Sequence, residues 1–125
     1  MSLSKFESML KTNSIYFFDL VEFEEIIVHY LDAGKHSLAK KAVKLGLEQH
    51  PTSVDLKLLD VEILIFDNRL EKASQKLKRI ELLDPNNQEV YIQKATILSK
   101  NGNHKEAIKN LKIAQTYAGD KVDIW

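Results

Sequence analysis

The chain has 125 residues, 44% of them hydrophobic and 29% charged, with 18 basic and 18 acidic side chains that cancel and no cysteine. That length holds one domain's worth of core, and the composition is that of a folded chain rather than a disordered one. Zero net charge excludes a general nucleic-acid or membrane-surface binder, since both lean on Lys and Arg, and the lack of cysteine excludes disulfides and thiolate metal sites.

The opening "SKFESMLK" sets Phe6, Met9 and Leu10 at helical spacing, which predicts a short N-terminal helix. It lacks the apolar core of a signal segment, and no run approaches the ~20 apolar residues of a membrane span. In "NSIYFFD", Ile15, Tyr16, Phe17 and Phe18 are consecutive and large. They form either a connector packed into a cap or an arm that docks on a groove or on another copy. "LVEFEEIIVHYLDAG" then places Phe23, Ile26, Ile27, Tyr30 and Leu31 on one helical face. Asp19 followed by Glu22 is a capping box for its start, and Gly34 a helix stop that reaches left-handed dihedrals without a Cβ clash.

"LAKKAVKLGLEQH" is the next helix, with Leu38, Ala39, Ala42, Val43 and Gly46 inward; small residues at Ala39 and Gly46 let two backbones approach closely. Pro51 and Pro85 block continuation. The polar-x-x-acid pairs Thr52 with Asp55, Asn86 with Glu89, and Asp120 with Asp123 read as the caps that follow. "VEILIF" alone passes for a strand, but it has no turn on either side and is expected to be helical.

The two prolines lie 34 residues apart (85 − 51). The same shift carries Ala39 onto Ala73 and Ala107, Val43 onto Leu77 and Leu111, Gly34 onto Asn68 and Gly102, and Tyr30 onto Leu64 and Leu98. A small residue, an aliphatic four later and a closing proline at that period resemble the tetratricopeptide repeat. The resemblance covers residues 20–125. It departs at Lys57 and Asp60, where the family prefers an aromatic and Leu, and at Gly119, where proline is expected. It implies an all-α, right-handed α-solenoid of antiparallel helix pairs. The expected parts are a capping helix and aromatic connector at 1–18, then repeats at 19–53, 54–87 and 88–121. In "GDKVDIW", Val122 opens a truncated fourth repeat at 122–125 and Trp125 takes the position where the family keeps its tryptophan. The chain is expected to continue beyond it, with Trp125 near Leu111 and Ala114 or disordered. The N-terminal stretch also looks like that of long bacterial repeat proteins, which implies no activity.

Chemistry-bearing groups are sparse. His29, His36, His50 and His104 fall on different elements, which favours packing or solvated roles over a metal. Glu24 and Glu25 diverge by about 100° on a helix and cannot share a substrate. With no phosphate loop and no Ser–His–Asp grouping, the expectation is no enzyme, no cofactor and no metal. The lysines lack interleaved aromatic rings, so no nucleic acid is expected; nor is a membrane. The expected compartment is the cytoplasm.

First helices are acidic: Asp19, Glu22, Glu24, Glu25 and Asp32 occur with no Lys or Arg in residues 19–34. Second helices are basic, as in Lys40, Lys41 and Lys44. In the family, first helices line a concave surface that binds peptides through four positions per repeat. Here those are Val21, Glu24, Val28 and Leu31; Asp55, Leu58, Glu62 and Ile65; Glu89, Ile92, Thr96 and Ser99. Carboxylates there would repel the C-terminal carboxylate that chaperone-adaptor members hold. The partner implied is another protein or peptide, apolar and basic, bound at micromolar strength. The alternative is a homo-oligomer formed through the aromatic arm or exposed repeat ends.

Overall fold

The computed structural model describes residues 2–12 and 16–118. Seven helices follow one another: α1 (Ser2–Thr12), α2 (Leu20–Asp32), α3 (His36–Gln49), α4 (Val54–Phe66), α5 (Leu70–Leu83), α6 (Gln88–Lys100) and α7 (His104–Thr116). Among the described residues there is no strand, and "VEILIF" lies within α4. The chain gathers into two compact units, residues 1–56 and 57–125. Trp125, Asp120 with Asp123, and Ile15 lie outside the described residues.

The helix stops repeat with the 34-residue shift. After α2, the Lys35 N–H donates to Tyr30 O at 2.8 Å and the Gly34 N–H to Leu31 O at 3.1 Å, with Gly34 at φ 73°. After α4, Arg69 donates to Leu64 O and Asn68 to Ile65 O, with Asn68 at φ 61°. After α6, Asn103 donates to Leu98 O and Gly102 to Ser99 O, with Gly102 at φ 82°. Each is a six-to-one and five-to-two closure around a left-handed residue, which satisfies carbonyls that the helix end leaves open. Asn68 holds the middle stop at a steric cost that glycine would not bear. Asn68→Gly is therefore expected to stabilise the chain by about 0.5 kcal/mol and Gly34→Ala to destabilise it by ~1 kcal/mol, read from urea unfolding midpoints.

The starts differ in part from the sequence reading. Asp19 and Glu22 form the expected box, with the Glu22 N–H donating to Asp19 Oδ1 at 2.9 Å and the Asp19 N–H to Glu22 Oε1 at 3.1 Å. At α4 and α6 the cap stands one residue later than expected. The Leu56 N–H donates to Ser53 Oγ and the Glu89 N–H to Asn87 Oδ1, so Thr52 and Asn86 do not serve. The reason lies in the preceding turns: Ser53 N bonds to His50 O and Asn87 N to Asp84 O, which sets each of these residues at the helix mouth.

In the first unit the core is aromatic. Phe6, Phe18, Phe23 and Tyr30 are fully buried. Phe6 meets Phe18 edge-on at 5.9 Å between ring centroids, Phe18 meets Phe23 at 5.4 Å, and Phe6 meets Tyr30 at 6.2 Å. The Tyr30 hydroxyl donates to Glu7 Oε2 at 3.0 Å, tying α2 to α1. Burial first, then the Glu7 carboxylate, pushes the Tyr30 phenol up to about 12. A Cβ on Gly46 would come within 3.1 Å of Leu56 Cδ1 and 3.2 Å of Phe23 Cγ. Gly46 therefore makes room for side chains, not for a second backbone as the sequence suggested.

In the second unit Val61, Ile65, Ala73, Leu77, Ile80, Val90, Ala95 and Ala107 are buried. Asp60 of α4 pairs with Lys76 of α5 at 2.6 Å, and Glu81 of α5 pairs with Lys94 of α6. Lys94 Nζ also stands 5.1 Å from the centroid of the Tyr91 ring.

Candidate functional site

On α2, Val21 and Val28 are exposed while Glu24 and Leu31 are half-buried. This leaves two apolar side chains exposed beside the half-buried Glu24 carboxylate. Asp55, at the mouth of α4, stands close enough to act on Glu24, whose carboxyl is raised above its ordinary 4.5 by burial first and by Asp55 second.

The second unit departs from expectation. Leu58 and Ile65 are only 5% and 6% exposed, so neither offers surface to a ligand. Both are part of the core, and at Leu58 α6 reaches α4: the Gln93 side-chain N–H donates to Leu58 O at 2.9 Å. Gln93 is itself buried, and its Oε1 has no hydrogen-bond partner. Glu62 stays exposed on the same helix. It faces Glu89 of α6, whose carboxyl is raised above 4.5 by burial and then by Glu62. Each unit thus carries one pair of like charges on first-helix positions, Glu24 with Asp55 and Glu62 with Glu89. Among the described residues no Lys or Arg forms an ion pair with these four.

Ile92, Thr96 and Ser99 go elsewhere. Together with Lys100, His104, Ala107, Ile108 and Leu111 they line a groove of about 440 Å³ between α6 and α7 that holds no carboxylate. The α7 half of that groove was not among the expected site residues, although the shift of Leu77 onto Leu111 pointed to it. A further cleft of about 620 Å³ runs between α5 and α6, with Leu77 and Ile97 in its floor and Glu71, Lys78, Glu81 and Lys94 on its walls.

The aromatic stretch after α1 is engaged within its own unit. Gln49 Nε2 donates to Tyr16 O at 2.7 Å, and the Phe18 N–H donates to Gln49 Oε1 at 3.0 Å. His50 Nε2 lies 2.8 Å from Phe18 O, and since a carbonyl only accepts, that nitrogen carries the proton. Phe18 is buried; Phe17 is 67% exposed and leans on the His50 ring at 5.4 Å between centroids. Among the described residues no group of three His, Asp or Glu side chains is arranged to hold a metal ion, and no helix is long and apolar enough to cross a membrane.

No family model and no curated protein matches the chain. A solved structure titled "MamA MSR-1 C2", of a protein containing tetratricopeptide repeats, aligns over 89% of this chain with a TM-score of 0.65 at 20% identity. The chain spans 62% of that structure's length. The fold is an all-α helical repeat of the tetratricopeptide type, like that structure's.

Proposed function

We propose that this chain is a non-enzymatic protein-interaction scaffold that takes an apolar, basic helix or extended segment on its first-helix faces, with each helix pair, α2–α3, α4–α5 and α6–α7, serving as one repeat. The carboxylate pairs carry the reading. Glu24 with Asp55, and Glu62 with Glu89, hold like charges together at partly desolvated positions, so each pair gains from an arriving Lys or Arg. Val21 and Val28 supply exposed apolar surface beside the first pair. The apolar contribution is smaller than the sequence implied, because Leu58 and Ile65 are already buried. Val21, Val28 and Leu31 at ~1.5–3 kcal/mol each release at most ~9 kcal/mol together, less for the half-buried Leu31, against association costs of ~4–15 kcal/mol. Charge must supply the balance, and affinity no tighter than micromolar follows.

The test is fluorescence anisotropy with an 18-residue amphipathic helical peptide of Leu and Lys, against the same peptide with Glu in place of Lys. The Lys peptide is expected to bind. Changing Glu24 and Glu89 together to Lys should weaken it at least tenfold with the helical circular dichroism unchanged. Equal binding to the altered chain sinks the reading. The pH dependence has a definite sign. Both carboxyls are raised, so as pH falls they take up protons before ordinary glutamates do and lose their attraction for Lys. Capture should therefore weaken as pH drops through that raised range.

A further inference from the structure

Among the described residues, Gln93 is the one amide or charged side chain that lies in the core, at 5% exposure. Its Nε2 donates to Leu58 O, from α6 to α4. A carbonyl only accepts, so the amide cannot stand the other way round. Oε1 therefore points away from Leu58 O, and it has no hydrogen-bond partner. A buried acceptor without a donor is costly, and an apolar side chain would avoid the cost. The 34-residue shift carries Gln93 onto Leu59, an apolar side chain at the matching position of α4.

The groups nearest this amide are acceptors too. Glu89 stands one helical turn before Gln93 on the same face of α6, and Glu62 stands one turn after Leu58 on α4. Burial, and then Glu62 across the two helices, raises the Glu89 carboxyl. Among the described residues neither carboxylate forms an ion pair with Lys or Arg. Two carboxylates and an unpartnered amide oxygen thus gather where α4 meets α6, with no cation of the chain paired to them.

Two carboxylates alone take either an ammonium or a guanidinium, and the third acceptor separates them. An ammonium is a compact, strongly hydrated point charge. A guanidinium is planar, sheds water more readily and spreads five N–H donors over a rigid fork, so one edge serves the carboxylates while another reaches a further acceptor.

We propose that Glu62, Glu89 and Gln93 form a guanidinium subsite, where the segment taken on the first-helix faces is anchored by an arginine rather than a lysine. The inference rests on the reading of the carboxylate pairs above and adds the residue that sets the choice. The arriving cation draws the half-buried Glu89 carboxylate outward, and a guanidinium N–H then meets Oε1, which is closed to water in the free chain. One turn after Asp55 the sequence has Leu59 where one turn after Glu89 it has Gln93, so the Glu24–Asp55 pair has no amide to make the choice.

The Leu–Lys peptide of the anisotropy test is compared with the same peptide carrying Arg at every Lys position. On the unchanged chain the Arg peptide is expected to bind about fivefold tighter. Gln93→Met fills similar space and removes the acceptor. On that variant the two peptides should bind within about twofold of each other, with the Lys peptide held as before and the helical circular dichroism unchanged. Should the variant lose its helicity, the unchanged chain still decides: the Gln93 side-chain amide resonance should shift with the Arg peptide and stay in place with the Lys peptide. Three results overturn the proposal and leave the scaffold reading standing: equal binding of the two peptides to the unchanged chain, an Arg preference that survives Gln93→Met, or an amide resonance indifferent to the choice of peptide. Capture of neither peptide overturns both.

Discussion

Leu58→Glu is expected to unfold the second unit rather than to spare the fold and weaken ligand capture. Leu58 is 5% exposed and its own carbonyl receives the Gln93 amide, so the side chain has nowhere to turn without parting α4 from α6. Removing the leucine forfeits ~1.5–3 kcal/mol of burial, and an ionised carboxylate there adds several more. A total of at least ~4 kcal/mol is a large share of the ~5–15 kcal/mol that holds a domain of this size. The sign with pH follows from burial. The folded-state pKa of the introduced carboxyl lies above its unfolded value, so the folded form is least penalised below the unfolded pKa. Stability is then lost as pH rises through the folded one. Urea midpoints should fall sharply at neutral pH and recover in part in acid. Ile92→Glu, at a half-buried position, should cost much less. If Leu58→Glu leaves the midpoint within ~1 kcal/mol of the parent at neutral pH, α6 does not cover α4 as described.

That residue also marks how far the sequence reached. The 34-residue period carried the helices well: α2 to α7 follow it, α1 follows from its own apolar spacing, and the left-handed stop at Gly34 recurs at Asn68 and Gly102. These features are local, set by backbone sterics and by apolar spacing that any reader of the chain can count. The caps at α4 and α6 missed by one residue because "TSVD" and "NNQE" each offer two adjacent capping side chains. The choice is made by the turns at His50 and Asp84, which the pattern does not show. The candidate site was less legible. Leu58 and Ile65 were assigned to ligand from the family pattern, whereas both are buried in the core. The acidic partners Asp55 and Glu89 were visible as charges, but their closeness to Glu24 and Glu62 needed the helices in place. The clamp of Gln49 and His50 on residues 16–18 has no periodic counterpart and left no signal at all.

Phe18→Ala is expected to be the most damaging single change in the first unit, and Phe17→Ala, one residue away, to do almost nothing to stability. The two neighbours point to opposite fates. Phe18 is fully buried among Phe6 and Phe23, and its backbone is held on both sides by Gln49 and His50. Truncating it removes a ring from the centre of the cluster that joins α1 to α2 and costs ~3–5 kcal/mol. Phe17 keeps most of its surface in water and leans on the His50 ring, so its loss should fall within about 0.5 kcal/mol. The comparison decides between the two roles the sequence left open for this stretch. An arm made for docking would tolerate both truncations in the isolated chain and show its losses only in association. A cap fails at Phe18 alone, in dilute solution, with α1 released. Thermal unfolding of the two variants, with sedimentation at several concentrations, separates the cases. Equal stability of Phe18→Ala and Phe17→Ala would return the stretch to the role of an arm.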